Sequence, residues 1–325
     1  MPKVSVLVAV YNAEAFLPRC LDSLRAQTHE DIQVICIDDA STDGSLHLLQ
    51  EYAKRDSRME VLPLLENRGQ AHARNEGLKY AKGDYICMLD ADDWLSPDAI
   101  EKAVALFNGE TDCVLFDVVM WYDDQHEELY QMPSFDTLSG TEAFTLSLDW
   151  QIHGVYMVRA DIHQQHPYDE TCRLYSDDNT TRIHYFCSRQ VRRCDGRYYY
   201  RQHQDSSTRR SSVRRFDYLK ANESMRHQLQ TMNLSQETVA DYENHRWLNL
   251  IDVYMFYHVH GCELSAAERE YGLSELHRIW TSVDRQALKK ETITKFGYRP
   301  CKSWRMFRLQ EWLYFTLRGF LGKNR

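Results

Sequence analysis

The sequence predicts an α/β protein with a Rossmann-like, mostly parallel sheet that carries helices on both faces, followed by a helical C-terminal region. Over the first 120 residues, short apolar runs alternate with segments in which apolar residues recur at helical spacing. Such alternation is typical of a parallel sheet that is covered on both faces. From residue 216 the periodicity is helical, as in Trp247, Ile251 and Tyr254.

The N-terminal alternation divides into five predicted strands and four predicted helices. The strands are 4–10, 32–39, 59–65, 84–90 and 111–119. The helices are 14–27, 41–55, 69–82 and 96–107. Gly83 provides a stop signal for the third helix, and Pro97 provides a first-turn signal for the fourth. Residues 121–150 are predicted to form loops and short strands.

Composition and charge exclude several classes of protein. The net charge of −9 argues against a general nucleic-acid binder, and 43% hydrophobic residues suffice for a sizeable core. The sequence has no run of 18 apolar residues that would predict a spanning helix, and its start lacks the pattern of a signal peptide. Nine scattered cysteines without a CxxC pair predict free thiols rather than disulfides or a zinc site. We therefore expect a cytoplasmic protein.

Polar side chains follow three of the predicted strands at the point where each strand ends. They are Tyr11 and Asn12, then Asp38 and Asp39, then Asp90, Asp92 and Asp93. Ligands of parallel sheets bind beyond the carboxyl ends of the strands, so these groups should converge on one binding edge. Carboxylates at such a place suit Mg²⁺ or Mn²⁺. The alternative is that Asp93 or Ser96 merely caps the following helix.

Asn67, Gly69 and Arg74 lie around the start of the third predicted helix. A helix N-terminus attracts phosphate, and an arginine one turn into the helix can clamp it. The alternative is a surface arginine on an amphipathic helix.

The segments VSVLVAVYN, VICIDDASTDGS, ENRGQAHARNEG and GDYICMLDADD occur in an order that resembles the family 2 glycosyltransferases with the GT-A fold. The resemblance is close over residues 2–120 and more diffuse to residue 208. It implies a nucleotide sugar across the strand ends, held by Val10, Tyr11, Asn12, Glu14, Asp38, Asp39, Asn67, Gly69, Arg74, Asp90, Ala91 and Arg201. One departure is Ala40, which stands where the family often has glycine.

The resemblance also implies individual roles in this site. Tyr11 and Asp39 would contact the base, usually uracil, and Asp90 would lie near the ribose. Asp92 would bind the divalent metal, Mn²⁺ or Mg²⁺, that bridges the diphosphate. Arg74 would lie near the diphosphate or the sugar.

A downstream acidic pair is implied to carry the catalytic base. The segment HPYDETCRLYSDDNTTRIHYF fits that layout. Asp178 aligns with the base, and Asp177, which replaces a glutamate, is a second candidate. The alternative is a helix cap on the residues that follow.

Further on, RYYYRQHQDSSTRRSS matches the segment after the base. Here His203 would join the metal site, and Arg201 would pair with phosphate. The alternative is a solvated basic loop.

Residues 299–325 form a basic, aromatic tail. On a helix, Met306, Leu309, Leu313, Leu317 and Phe320 would form one apolar stripe. One interpretation is an interfacial helix on the inner face of the cytoplasmic membrane. The other is a helix packed on the catalytic domain or on a second subunit, as in a homodimer.

The sequence therefore predicts an inverting, metal-dependent glycosyltransferase that moves a sugar from a nucleotide diphosphate, usually UDP, to a hydroxyl of a glycan or lipid-linked glycan. The expected products are lipopolysaccharide or capsule. The catalytic domain would span 1–215, with a nucleotide-sugar part to about 120 and an acceptor part after it, and 216–325 would be helical.

Two other functions stay open at this point. A sugar-nucleotide nucleotidyltransferase would need a glycine-rich loop where this chain has VYNAEAF. A non-catalytic module that binds glycans or nucleotide sugars would have no transfer activity to lose.

Overall fold

The computed structural model describes residues 2–171, 175–202, 213–232 and 234–323. The chain divides into two compact units. The first unit comprises Met1–Arg173 with Thr180–Ser206, and the second comprises Leu174–Asn179 with Ser207–Arg325. The predicted domain boundary near residue 215 stays a prediction.

The first unit is built on one sheet, which has ten strands among the described residues. These are β1 (Val4–Val10), β2 (Ile32–Asp38), β3 (Met59–Pro63), β4 (Tyr85–Met88), β5 (Trp94–Leu95), β6 (Thr111–Asp123), β7 (His126–Leu129), β8 (Thr137–Ser139), β9 (Tyr156–Arg159) and β10 (Gln190–Arg201). The helices around it are α1 (Leu17–Arg25), α2 (Ser45–Arg55), α3 (Gln70–Leu78), α4 (Ala99–Val104), α5 (Gly140–Leu148), α6 (Ala160–Gln165) and most of α7 (Ser176–Cys187).

The strand order of the sheet is β3-β2-β1-β4-β9-β6-β10-β5, with β7 added to β6 and β8 added to β10. Strands β3, β2, β1 and β4 are parallel neighbours, and β6 is parallel to β10. Strand β9 lies between β4 and β6 and runs antiparallel to both. The predicted α/β fold with a mostly parallel sheet is confirmed for its N-terminal strands, whereas β5, β7, β8 and β9 pair antiparallel with their neighbours.

Both faces of the sheet are covered, as the continuous apolar strands predict. Along β1, Val6 and Val8 belong to an apolar cluster that includes Leu21 of α1. Leu7 points to the opposite face, where it shares a cluster with Ile37 of β2 and residues of α3. This alternation is the ordinary two-residue period of a strand. Strand β1 thus lies between β2 and β4 and has apolar contacts on both faces of the sheet.

Three sequence-based predictions about local structure were wrong. Helix α3 ends at Leu78, so Gly83 does not stop it. Gly83 instead lies where the chain turns against β1, and a Cβ atom there would lie 2.5 Å from the backbone nitrogen of Ser5. Helix α4 begins at Ala99, after Pro97. Residues 140–148 form helix α5 rather than a loop, because Ser139 and Glu142 build a capping box at its start.

The second unit is helical, as predicted. Its described helices are α8 (Asp217–Gln230), α9 (Gln236–His260), α10 (Ala266–Ser282), α11 (Lys290–Ile293) and α12 (Trp304–Phe320), preceded by a 3₁₀ turn at Val213–Phe216. Phe307 and Phe315 of α12 pack into a core with Trp247 of α9 and Leu276 of α10. Within the described residues, no helix has the length and apolar character needed to cross a membrane.

Candidate active site

The carboxyl ends of β1, β2 and β4 lie side by side in the first unit. Val10 is paired with Asp38 across β1 and β2, and Leu7 is paired with Met88 across β1 and β4. The polar residues that follow these strands therefore meet at one edge of the sheet.

The turns after β1 and β2 are fastened to one another. Asn12 has a φ of 50°, and its Oδ1 accepts a hydrogen bond from the backbone nitrogen of Thr42 at 2.8 Å. The carboxylate of Glu14 accepts a hydrogen bond from the backbone nitrogen of Gly44 at 2.9 Å. Tyr11, which precedes Asn12 in the chain, is 51% exposed. Asn12 and Glu14 thus hold the loop, whereas the ring of Tyr11 is accessible to a ligand.

Asp39 is buried and binds the segment that leads into α3. Its Oδ1 accepts a hydrogen bond from the backbone nitrogen of Arg68 at 3.0 Å, and its Oδ2 accepts one from that of Gly69 at 2.8 Å. The side-chain nitrogen of Asn67 donates to the backbone oxygen of Asp39 at 3.2 Å. Gly69 has a φ of 96°, which a residue with a Cβ rarely adopts. Asp39 therefore positions the N-terminus of α3.

Asp38 precedes Asp39 and is also buried. Its Oδ2 accepts a hydrogen bond from the backbone nitrogen of Ser41 at 3.2 Å. Its Oδ1 has no hydrogen-bond partner in the part of the chain that the structure describes. A buried carboxylate oxygen without a partner is costly, so Asp38 Oδ1 is a candidate acceptor for a ligand group.

Arg74 and Asp90 form an ion pair between α3 and the end of β4. The guanidinium of Arg74, which is 6% exposed, donates to Asp90 Oδ1 at 2.5 Å. The amide of Gln70 donates to the same oxygen at 2.8 Å, and the ring of Tyr168 lies 4.9 Å from the Arg74 guanidinium carbon. The sequence identified Arg74 and Asp90 but missed Gln70 and Tyr168. Gln70 was detectable, because it lies one helical turn before Arg74.

Asp93 fastens the end of β10 to the turn after β4. Its Oδ2 accepts a hydrogen bond from the hydroxyl of Tyr198 at 2.7 Å, and its Oδ1 accepts one from the backbone nitrogen of Arg201 at 2.8 Å. Burial, together with the charges of Asp90 and Asp92, raises the pKa of Asp93 well above its ordinary value. Asp93 therefore does not cap the next helix, which was the alternative raised by the sequence.

Asp92 is the half-buried member of the acidic turn, between buried Ala91 and buried Asp93. Its backbone oxygen accepts a hydrogen bond from Nε of Arg201 at 2.9 Å. The guanidinium of Arg201 also lies 4.9 Å from the rings of both Trp94 and Trp121. Arg201 thus supports the backbone at Asp92 from within an aromatic cluster.

A second arginine, Arg19, lies on the same aromatic cluster. Its guanidinium carbon is 3.5 Å from the centre of the Trp94 ring and 4.7 Å from that of Trp121. Burial, followed by the charge of Arg201, lowers the pKa of Arg19. Both arginines therefore stiffen the region behind the acidic turn.

The two candidate base residues, Asp177 and Asp178, are half-buried in the first turn of α7. A carboxylate is stabilised at that end of a helix by the helix dipole. His203, the predicted second metal ligand, lies outside the described residues.

The parallel strands, with acidic residues at the ends of β2 and β4, are the arrangement expected of the GT-A fold. Residues 5–156 match the family model described as "Glycosyl transferase family 2". Slightly less than half of the chain is therefore similar to the family 2 glycosyltransferases.

Curated relatives match the N-terminal part of the chain. The putative glycosyltransferase EpsH of Bacillus subtilis is 38% identical over 150 residues, which cover 42% of this chain and 43% of that protein. The putative teichuronic acid biosynthesis glycosyltransferase TuaG of the same species is 43% identical over 101 residues, covering 31% and 40%. The chain thus spans less than half the length of either relative.

Solved structures match nearly the whole chain in fold. A crystal structure of S. aureus TarS 1-349 in complex with UDP-GlcNAc has a TM-score of 0.76 at 16% identity, covering 99% of this chain and 92% of that one. A mannosyltransferase from Pyrobaculum calidifontis, in complex with GDP-Man and Mn²⁺, has a TM-score of 0.54 at 15% identity, covering 99% and 88%. At these identities the likeness establishes the fold.

Proposed function

We propose that this protein is an inverting, metal-dependent glycosyltransferase that moves a sugar from a nucleotide diphosphate, with UDP as the expected nucleotide, to a hydroxyl of a glycan or lipid-linked glycan. The observation that carries the proposal is the ion pair between buried Arg74 and half-buried Asp90, two residues from half-buried Asp92, in the segment that matches the family 2 model. The relative named for teichuronic acid biosynthesis favours a product at the bacterial cell surface. The enzyme would act in the cytoplasm, at the inner face of the cytoplasmic membrane.

The nucleotide would lie across the ends of β1 and β2. The exposed ring of Tyr11 is suited to stack on a base, because aromatic and base rings both present flat π faces. Asp39 would contribute indirectly, by holding the segment before α3 through its hydrogen bond to Gly69. Asp38 Oδ1 would accept a hydrogen bond from the nucleotide. The matched structure with UDP-GlcNAc supports UDP as the nucleotide.

The diphosphate would lie over the acidic turn. A hard carboxylate at Asp92 fits Mg²⁺ or Mn²⁺, which proteins often hold with one or two carboxylates plus substrate phosphates. The described residues contain no group of three His, Cys, Asp or Glu side chains that could hold a metal ion. A metal that is held by one or two carboxylates and by substrate phosphates does not need such a group. The ion would neutralise the leaving diphosphate. Arg74 and Arg201 would add positive charge, and His203 is proposed as a further ligand.

The transfer itself needs a base and one displacement. Asp178 would remove the proton of the acceptor hydroxyl as its oxygen bonds to the anomeric carbon. The bond from that carbon to the diphosphate oxygen breaks in the same step, and the anomeric configuration inverts. Asp177 is the second candidate for the base.

A donor panel with the full chain tests this function. Nucleotide sugars are supplied with Mn²⁺ or Mg²⁺, and transfer and slow hydrolysis are measured. We expect Asp178→Asn to retain nucleotide binding and lose at least about 100-fold in transfer, the range of a general base. Asp92→Ala should lose the metal dependence of nucleotide affinity.

Asp177→Asn is the matched control for the base, since it removes the neighbouring carboxylate in the same helical turn. Wild-type transfer by Asp178→Asn with loss in Asp177→Asn would move the base to Asp177. If no donor is hydrolysed or transferred with either metal, while nucleotide sugars still bind, the protein is a binding module and not a transferase.

A further inference from the structure

Helix α12 presents an apolar stripe to solvent. Met306, Leu309, Leu313, Leu317 and Phe320 are 57%, 59%, 41%, 57% and 85% exposed. Their spacing of three or four residues places them on one line along the helix. Large side chains at this exposure make a patch on the order of several hundred Å², the size that marks an interaction surface.

The stripe lies opposite the face by which α12 packs in its own unit. That packing face consists of Phe307, Glu311 and Phe315, which are fully or almost fully buried. Phe307 and Phe315 contact Tyr254 of α9. One side of α12 therefore completes the core of the second unit, and the stripe on the other side is exposed to solvent.

The segment that carries the stripe is rich in positive charge. The described part of the tail carries Arg299, Lys302, Arg305, Arg308, Arg318 and Lys323, and its single acidic residue, Glu311, is buried. Arg305 and Arg308 line a groove of about 630 Å³ with Arg269, Tyr254 and Trp312. Leu309 of the stripe borders the same groove. Three guanidinium groups and the apolar stripe thus share one surface.

We propose that α12 lies flat on a bilayer containing anionic phospholipid, with the stripe among the acyl chains and Arg305 and Arg308 against the phosphates. A helix with one apolar face and flanking arginines binds in the interface plane. Anionic headgroups attract such arginines electrostatically. This extends the proposed membrane location to a defined surface, and it is independent of the sugar-transfer chemistry.

The charges favour a lipid surface over a second copy of this chain. A two-fold contact through the stripe would place the same patch of each copy against the other. The interface would then collect Arg305 and Arg308 of both copies, and like charges repel. An anionic bilayer offers the opposite sign over the whole length of the helix.

Vesicle flotation of the full chain tests the proposal. Vesicles of phosphatidylcholine alone are compared with vesicles that also contain phosphatidylglycerol, at low and high salt. We expect binding to the phosphatidylglycerol vesicles, weakened by salt. The variants Leu309→Glu with Leu317→Glu, and Arg305→Glu with Arg308→Glu, should each lower the bound fraction at least about tenfold.

Leu248→Glu is the matched control, because Leu248 is a 41% exposed leucine on α9 outside the stripe. It should float as the wild type does. Point variants are preferred to deletion of residues 299–325, since deletion would remove the buried Phe307 and Phe315. Circular dichroism checks that each variant is folded.

Equal flotation of wild type and both double variants would overturn the proposal. A wild-type dimer in solution that Leu309→Glu with Leu317→Glu converts to monomer, with no lipid binding by either, would assign the stripe to a second copy. Transfer to a soluble acceptor should be unchanged in all these variants. Failure of the lipid proposal is thereby separated from failure of the proposed activity.

Discussion

Single residues at the strand ends show where backbone strain lies. Asn12 and Ala40 both adopt positive φ angles, 50° and 57°, in the turns after β1 and β2. Asparagine tolerates this region, but the Cβ of alanine approaches the following carbonyl oxygen there. Ala40 therefore stores strain next to the buried Asp38 and Asp39. The sequence analysis identified Ala40 as a departure from the family that the chain resembles, which often has glycine there.

Replacing Ala40 with glycine should relieve the strain. We expect Ala40→Gly to raise the free energy of unfolding by about 0.5–1 kcal/mol, since the relief exceeds the entropy that glycine loses on folding. Urea denaturation measures the change. Ala105→Gly is the control, because Ala105 has a φ of −63° and gains nothing from glycine. Equal destabilisation by both substitutions would show that Ala40 is unstrained.

The sequence identified most residues at the edge of the sheet but not how they act. Asp39 and Asn12 were predicted as ligand contacts, and both hold loops by hydrogen bonds to the backbone. A helix cap was the alternative for Asp93, whereas this residue binds Tyr198, which lies 105 residues further along the chain. Such a contact follows from tertiary packing and leaves no local pattern in the sequence.

At the scale of elements, Tyr198 and Arg201 join β10 to the turn after β4. The hydroxyl of Tyr198 donates to Asp93 and accepts a hydrogen bond at 3.2 Å from the backbone nitrogen of Asp90. Both partners are in the acidic turn that is proposed to hold the diphosphate. The position of β10 therefore affects the geometry of the site.

Removal of the Tyr198 hydroxyl should loosen this junction. We expect Tyr198→Phe to cost about 1–3 kcal/mol of stability, because it leaves buried Asp93 short of a donor. Metal-dependent nucleotide affinity should fall as well. Tyr80→Phe, at a 49% exposed tyrosine, is the control and should change neither quantity. Unchanged stability in Tyr198→Phe would mean that water replaces the hydroxyl.

Elements after residue 120 were predicted less well than those before it. Helix α5 carries a sequence signal, since Ser139 is followed three residues later by Glu142, but the segment was predicted as a loop. Strand β9 has four residues and no period of its own that reveals its antiparallel pairing. The N-terminal elements were predictable because buried parallel strands are continuously apolar.

At the scale of the whole molecule, one buried acid makes stability depend on pH. Glu311 of α12 is buried in the second unit, and burial raises its pKa from 4.5 to about 8. The folded state therefore keeps a proton that the unfolded state has released. Between pH 4.5 and about 8, each rise in pH favours the unfolded state.

The variant Glu311→Gln should remove this dependence. Glutamine stays neutral at every pH. The free energy of unfolding of the variant should therefore rise relative to that of the wild type by up to about 1.4 kcal/mol per pH unit between pH 5 and 8, and the difference should then level off. Thermal unfolding across pH 5–9 measures the difference. Parallel pH profiles for wild type and Glu311→Gln would contradict the assignment.

The insertion of β9 between β4 and β6 has a consequence for biosynthesis. β4 is complete at Met88 and β6 at Asp123, but the strand that joins them comes only at Tyr156–Arg159. A nascent chain that ends before that point has open hydrogen-bonding edges on both strands, and open edges recruit other chains. The half of the sheet proposed to bind the nucleotide therefore needs β9 for protection against aggregation while the ribosome is still translating the rest.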